Sequence, residues 1–189
     1  MKIDTTTLAG TAILAALVVV FDYTMKYSGL KIPFPWLPFL RFDFTGIPIV
    51  LSLLLFGLIP GTVTSIIASV AILARSGQIV SSSMKGFAEF STILGMAVCL
   101  KLPKRFRLVS SFALGVTSRA LIMICVNLAL IYVGVISLPA SYKDIPIMVT
   151  LLVGVFNAAQ GALSVLGGYS IYEAIKRRAA YLVRKNNKR

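Results

Sequence analysis

A chain of 189 residues that is 58% hydrophobic, with 19 Lys and Arg, 6 Asp and Glu, no His and a net charge of +13, reads as one membrane domain over 1–189 with no soluble domain attached. Without His, neither a Ser–His nor a Cys–His nucleophile can be built. No glycine loop ends in Lys-Ser or Lys-Thr to hold ATP phosphates, so no enzymatic activity is expected.

Six apolar segments predict an all-α integral membrane bundle of six transmembrane helices, at about 8–26, 44–58, 62–75, 84–101, 107–136 and 146–176. A helix needs about 20 apolar residues to cross the hydrocarbon core. The second and third segments are shorter. Either they cross a thinned bilayer, or they form a bent pair broken at Pro60–Gly61. The first segment follows Lys2 with no convincing small-residue cleavage site, which predicts an uncleaved helix. It carries Ala9, Gly10, Ala12, Ala15 and Ala16. Ala12 and Ala16 lie one turn apart and form a small-residue face, suited to packing inside the bundle or to close approach of a partner helix.

The loop after the first helix, 27–43, holds Pro33, Pro35 and Pro38, which stiffen it and remove backbone donors. Ile32, Phe34, Trp36, Leu37, Phe39 and Leu40 make it too apolar to lie free in water. Two readings fit: an aromatic belt at headgroup depth, or a lid over an outward-facing pocket.

The later segments carry polar groups at depth. Glu89 is 12 residues from Lys101 and Arg119 is 12 residues from Arg107, so both charges lie about 18 Å from the basic boundary. Charges inside a membrane are costly and usually paired, and adjacent antiparallel helices at equal depth make these two a structural ion pair. Asn127 is 20 residues from Arg107 and Asn157 is 19 from Lys176, which places both near the opposite surface, about 30 Å away. Gln160 and Ser164 continue the Asn157 face. Amides there either bond helix to helix or face a cavity holding a polar heterocycle, since lipid offers no hydrogen bonds. Cys99 and Cys125 stand alone in apolar spans and are read as packing residues, with no metal site.

The charge distribution sets the orientation. Lys2, Lys101, Lys104, Arg105, Arg107, Lys176, Arg177, Arg178, Arg184, Lys185, Lys188 and Arg189 share one side. Lys26, Lys31, Arg41, Arg75, Lys85 and Lys143 share the other. The excess on the first side predicts cytoplasmic N and C termini in a multi-pass protein of the cell membrane. The basic tail is assigned to membrane lipid rather than to nucleic acid.

Ile32-Pro-Phe-Pro-Trp-Leu-Pro-Phe-Leu-Arg-Phe-Asp-Phe-Thr-Gly-Ile-Pro48, followed by Leu55-Phe-Gly-Leu-Ile-Pro-Gly61, resembles the substrate-binding S-components of energy-coupling factor (ECF) vitamin transporters, most of all the riboflavin-specific members. The resemblance implies six helices and a chain that captures riboflavin outside the cell. It implies delivery through an integral membrane coupling subunit and two ABC ATPase subunits, with riboflavin as transported ligand and no cofactor. It implies that Ala12 and Ala16 match the Ala-x-x-x-Ala motif that docks the coupling subunit. It also implies that Asn127, Asn157 and the Gln160 position contact the vitamin, together with Leu40 and Arg41 main chain and cover from Trp36 or Phe39. The family has Lys where this chain has Gln160, a departure that bears on the ligand. The alternatives are another water-soluble vitamin or precursor, or a lipid-modifying membrane enzyme, which needs an acidic cluster that the six scattered carboxylates do not form.

The charge bias makes a direct prediction. A single Cys placed within 137–144, in a chain lacking Cys99 and Cys125, labels from outside intact cells with an impermeant thiol reagent; labelling only after permeabilisation reverses the orientation.

Overall fold

The second apolar segment bears no charge on any side, and a helix apolar all round belongs inside a protein. The computed structural model, which describes residues 4–100 and 104–178, buries it. Among the described residues the chain forms six helices: α1 (Thr5–Tyr27), α2 (Gly46–Phe56), α3 (Leu58–Ser76), α4 (Ile79–Cys99), α5 (Lys104–Tyr132) and α6 (Pro146–Arg178). Lys2, Lys101, Arg184, Lys185, Lys188 and Arg189, used above for orientation, lie outside the described residues, as do the side chains of Lys104 and Arg105. α2 packs against α1, α3, α4 and α6, while α1–α3, α3–α4, α4–α5 and α5–α6 contacts enclose it. Ile49, Val50 and Leu53 of α2 meet Val18, Ala68, Ile93, Met96 and Val165 in the main core. Leu14 and Ile175 pack with Leu51 and Leu55, so α1 begins and α6 ends at the same end of the bundle.

Four helices, α1, α3, α5 and α6, are long and apolar enough to cross a membrane. α2, with 11 residues, spans about 16 Å and does not reach across. The break between α2 and α3 falls at Gly57, not at Pro60–Gly61. Gly57 has φ 95° and ψ −175°, a conformation that side-chain-bearing residues avoid. Pro60 sits instead in the first turn of α3, where its missing N–H costs no helical bond, and Gly61 N–H already donates to Gly57 O at 3.2 Å. α3 therefore starts four residues earlier than expected and is a full-length helix of 19 residues.

The 27–43 loop is also more ordered than its prolines suggest. β1 (Ile32–Phe34) and β2 (Leu37–Phe42) form an antiparallel hairpin with Ile32 opposite Phe42 and Pro33 opposite Arg41. A two-stranded ribbon consists of edges, and edges tolerate proline. Phe34 and Leu37 are buried against Val149, Val153 and Phe156 of α6. Phe34, Phe42 and Phe156 form a ring cluster with centroids 4.9–6.0 Å apart.

Small residues set the helix crossings, as membrane packing requires. A methyl group on Gly95 of α4 would strike Leu114 O and Ser118 Oγ of α5, and one on Gly154 of α6 would lie 2.5 Å from Ile124 Cδ1. Overpacking of this kind costs about 1–3 kcal/mol. Gly95→Ala is expected to lower the thermal unfolding temperature in detergent, while Ala16→Ser on the exposed side of α1 leaves it nearly unchanged. An unaltered Gly95→Ala melt would mean that α4 and α5 are farther apart than described.

Candidate functional site

Below the hairpin, the segment before α2 together with α4 and α5 brings four charged side chains together. Lys85 and Glu89 lie one turn apart on α4, and the Lys85 Nζ to Glu89 Oε1 distance is 2.8 Å. Arg119 Nη1 of α5 reaches the same oxygen at 3.0 Å. Lys85 Nζ also donates to Asp43 Oδ1 at 2.9 Å. Two carboxylates thus face two cations, and the cluster is neutral. Glu89 and Arg119 are almost wholly buried, and a buried charge without a partner is strongly destabilising. Both cations reach Glu89 Oε1, whereas Glu89 Oε2 is buried with no hydrogen-bond partner among the described residues.

Polar groups complete the cluster. Arg119 donates from Nη1 to Thr92 Oγ1 and from Nε to Asn157 Oδ1, both at 3.2 Å. Asn157 Nδ2 donates to Val153 O at 2.9 Å. Gln160 grips the Asp43 main chain from both sides: its Nε2 donates to Asp43 O at 2.7 Å, and Asp43 N–H donates to its Oε1 at 3.3 Å. Asp43 Oδ1 further accepts from Thr45 Oγ1 at 2.6 Å and Thr45 N–H at 3.2 Å, at the start of α2, where the helix dipole favours a carboxylate. Burial pushes the Asp43 carboxyl up, but the Lys85 ammonium and the Thr45 hydroxyl outweigh it and hold the group down to about 2. Glu89 Oε2 lies against Gly46, where a Cβ would come within 2.8 Å of it and would also strike Ser164 Oγ.

A second ionic cluster secures the base of the hairpin. Asp22 of α1 is buried, with Lys31 Nζ at 2.6 Å and Arg75 Nε at 2.6 Å. Lys31, Arg75 and Lys85, counted above as outside cations, are therefore committed to internal pairs.

The sequence-designated residues are thus distributed unevenly. Glu89 and Arg119 meet, and Asn157 and Gln160 join the same cluster. Asn127 is half-buried and donates to Met123 O of its own helix at 2.7 Å, apart from that cluster. Trp36 occupies the hairpin turn and is 60% exposed. Phe39 is exposed and meets Tyr142 edge-on at 6.3 Å. Leu40 is half-buried, and Arg41 is exposed and paired across the hairpin with Pro33. Ala12 and Ala16 are exposed, while Leu14, Ala15 and Val18 turn inward, so the alanine face is not used for packing this bundle. Asp43, Lys85, Thr45 and Thr92 were not singled out from the sequence. The i, i+4 spacing of Lys85 and Glu89 was the available signal. A cavity of about 380 Å³ lies between α3 and α4, lined by Ser65, Ile66, Ser69, Val70, Gly86 and Phe87, and it contains none of the designated residues.

No family model and no curated protein sequence matches this chain. Its structure is similar to that of the S component of a bacterial ECF transporter, with a TM-score of 0.75 over 91% of this chain and 96% of that one, at 17% identity. The chain has the S-component fold. The hairpin occupies the end of the bundle opposite the α1 start and the α6 end, with the charged cluster beneath it.

The cluster predicts strong coupling between its members. Glu89→Gln leaves two cations facing Asp43 alone, and Arg119→Gln leaves Glu89 with Lys85 only; each is expected to destabilise by about 3–5 kcal/mol. Glu89→Gln should cost more, because Glu89 serves both Lys85 and Arg119. The double variant should recover part of the loss in chemical unfolding, whereas additive losses would separate the two residues.

Proposed function

We propose that this chain is the substrate-binding membrane subunit of an ECF-type importer and that it captures riboflavin outside the cell. The near full-length similarity to an S component is the observation that carries the first part. On this reading the chain sits in the cell membrane beside an integral membrane coupling subunit and two ABC ATPase subunits. It performs no chemistry itself, and ATP is hydrolysed by the partners. The exposed Ala12 and Ala16 face is the docking surface for the coupling subunit, since small residues allow close helix approach.

The hairpin acts as the lid. The vitamin enters beneath it, between the strands and the outer turns of α5 and α6. There its carbonyl-and-imide edge takes amide hydrogen bonds from Asn127, Asn157 and Gln160 and from the main chain near Leu40 and Arg41. Asn157 and Gln160 exchange their present bonds to Arg119 and Asp43 for bonds to the ligand. The riboflavin assignment is supported by the Pro-rich segment and by the Asn pair. One observation favours a second reading, another water-soluble vitamin or precursor: a neutral Gln160, already bonded to Asp43, stands where the riboflavin-specific proteins have Lys. A lipid-modifying enzyme is disfavoured, because Asp22, Asp43 and Glu89 are all committed to cations.

Purified protein titrated with riboflavin is expected to bind at micromolar concentration or below. Losing one amide costs about 1–3 kcal/mol, so Asn127→Ala and Asn157→Ala are each expected to weaken binding about 5- to 150-fold. Gln160→Lys should retain or strengthen it. A chain that ignores riboflavin but binds another vitamin removes the ligand assignment alone. Ala12→Leu with Ala16→Leu should abolish assembly with the coupling subunit and leave ligand binding intact; loss of both would return these alanines to bundle packing.

A further inference from the structure

The hairpin has two apolar sides, and one of them is uncovered. Phe34 and Leu37 are buried on α6, whereas Trp36 in the turn and Phe39 of β2 are 60% and 51% exposed. Side chains alternate along a strand, so Phe39 and Arg41 share the side of β2 opposite Leu40 and Phe42, which pack toward α6, while Leu37 lies beside the register irregularity at Phe34 and turns inward. The height of the hairpin follows from its neighbours on α6, which run from Val149 to Phe156. Phe156 is 20 residues from Lys176, where the basic end of α6 begins. At 1.5 Å per residue that is about 30 Å, the thickness of the hydrocarbon core. The hairpin therefore stands beside α6 at the level of the outer headgroups, not above them in water.

Charge around the hairpin is one-sided. Lys26, Arg41 and Lys143 are exposed. The nearby carboxylates Asp22 and Asp43 are buried in ion pairs, which leaves Asp144 as the exposed acid beside Lys143. Lys143 is held near the strands, because its neighbour Tyr142 donates to Trp36 O at 3.4 Å and packs on Phe39.

The geometry points to a lipid-binding surface on the outward side of the hairpin. Trp36 and Phe39 seat in the interface of the outer leaflet, and Arg41 and Lys143 contact the phosphates of anionic phospholipid. Aromatic rings favour this depth, and basic side chains at a membrane surface favour anionic lipid. The surface is continuous with the lipid-facing sides of the bundle. Any outward swing of the hairpin then works against the leaflet.

The chain has a single tryptophan, so its fluorescence reports on Trp36 alone. The full chain is reconstituted in vesicles of phosphatidylcholine or phosphatidylglycerol brominated at shallow or deep acyl positions, with iodide on both sides of the bilayer as aqueous quencher. Shallow bromine is expected to quench most and iodide several-fold less than it quenches a soluble tryptophan analogue. In mixed vesicles brominated phosphatidylglycerol should quench in preference to brominated phosphatidylcholine, by about five-fold for each cation, and Arg41→Gln with Lys143→Gln should remove that preference. Iodide quenching equal to that of the soluble analogue, with no response to bromine, would overturn the lipid surface. Equal quenching by the two brominated lipids, or a preference that survives the double variant, would overturn the role of the cations.

Discussion

Two carboxylates and two cations held together inside a membrane bundle are the constraint on which this architecture turns. Asp43, the Lys85–Glu89 pair and Arg119 come from three separate stretches of chain, and each charge is expensive to bury alone. Their mutual neutrality fixes where the start of α2 lies relative to α4 and α5. Thr92 and Asn157 accept from Arg119, and Asn157 and Gln160 extend the constraint to α6. The apolar core on the other side of α2 has no such specificity. Leu, Ile and Val contacts would allow several rotations of a helix that is apolar all round, whereas the polar end allows few.

The long apolar helices and the pairing of Glu89 with Arg119 could be read by counting residues, since helix rise is constant and lipid forbids unpaired charge. Features that depend on neighbours were not legible in this way. Pro33, Pro35 and Pro38 argue against strands, and the hairpin exists because α6 gives one of its sides an apolar wall. Pro60–Gly61 looked like the break between α2 and α3, yet the conformation that only glycine tolerates falls at Gly57. Arg75 and Lys85 resembled ordinary flanking cations, because Asp22 and Asp43 lie 53 and 42 residues away in sequence, although the i, i+4 spacing of Lys85 and Glu89 was open to view. Asn127 shares the expected height with Asn157, but height says nothing of the direction a side chain takes around its helix.

Helix α1 joins two parts of the molecule that are otherwise distant. Its exposed alanines lie in the first half. Near its end, Asp22 binds Lys31 at the foot of the hairpin and Arg75 at the end of α3. A rigid helix with one end on a small-residue surface and the other on a hairpin transmits tilt directly. The ion pairs leave little slack between α1, α3 and the strands.

The shortness of α2 has a consequence for how the hairpin end of the bundle is filled. α2 ends and α3 begins at Gly57, but α2 has 11 residues and α3 has 19. The difference of 8 residues leaves α2 about 12 Å short of its neighbour, more than two turns. The segment that joins the hairpin to α2, with Asp43 and Thr45, takes the place that two more turns of α2 would fill, above Gly46 and the charged cluster. In a bundle of this kind, the room left to that segment is adjusted most simply by adding or deleting turns of one buried helix, with the surrounding walls left untouched.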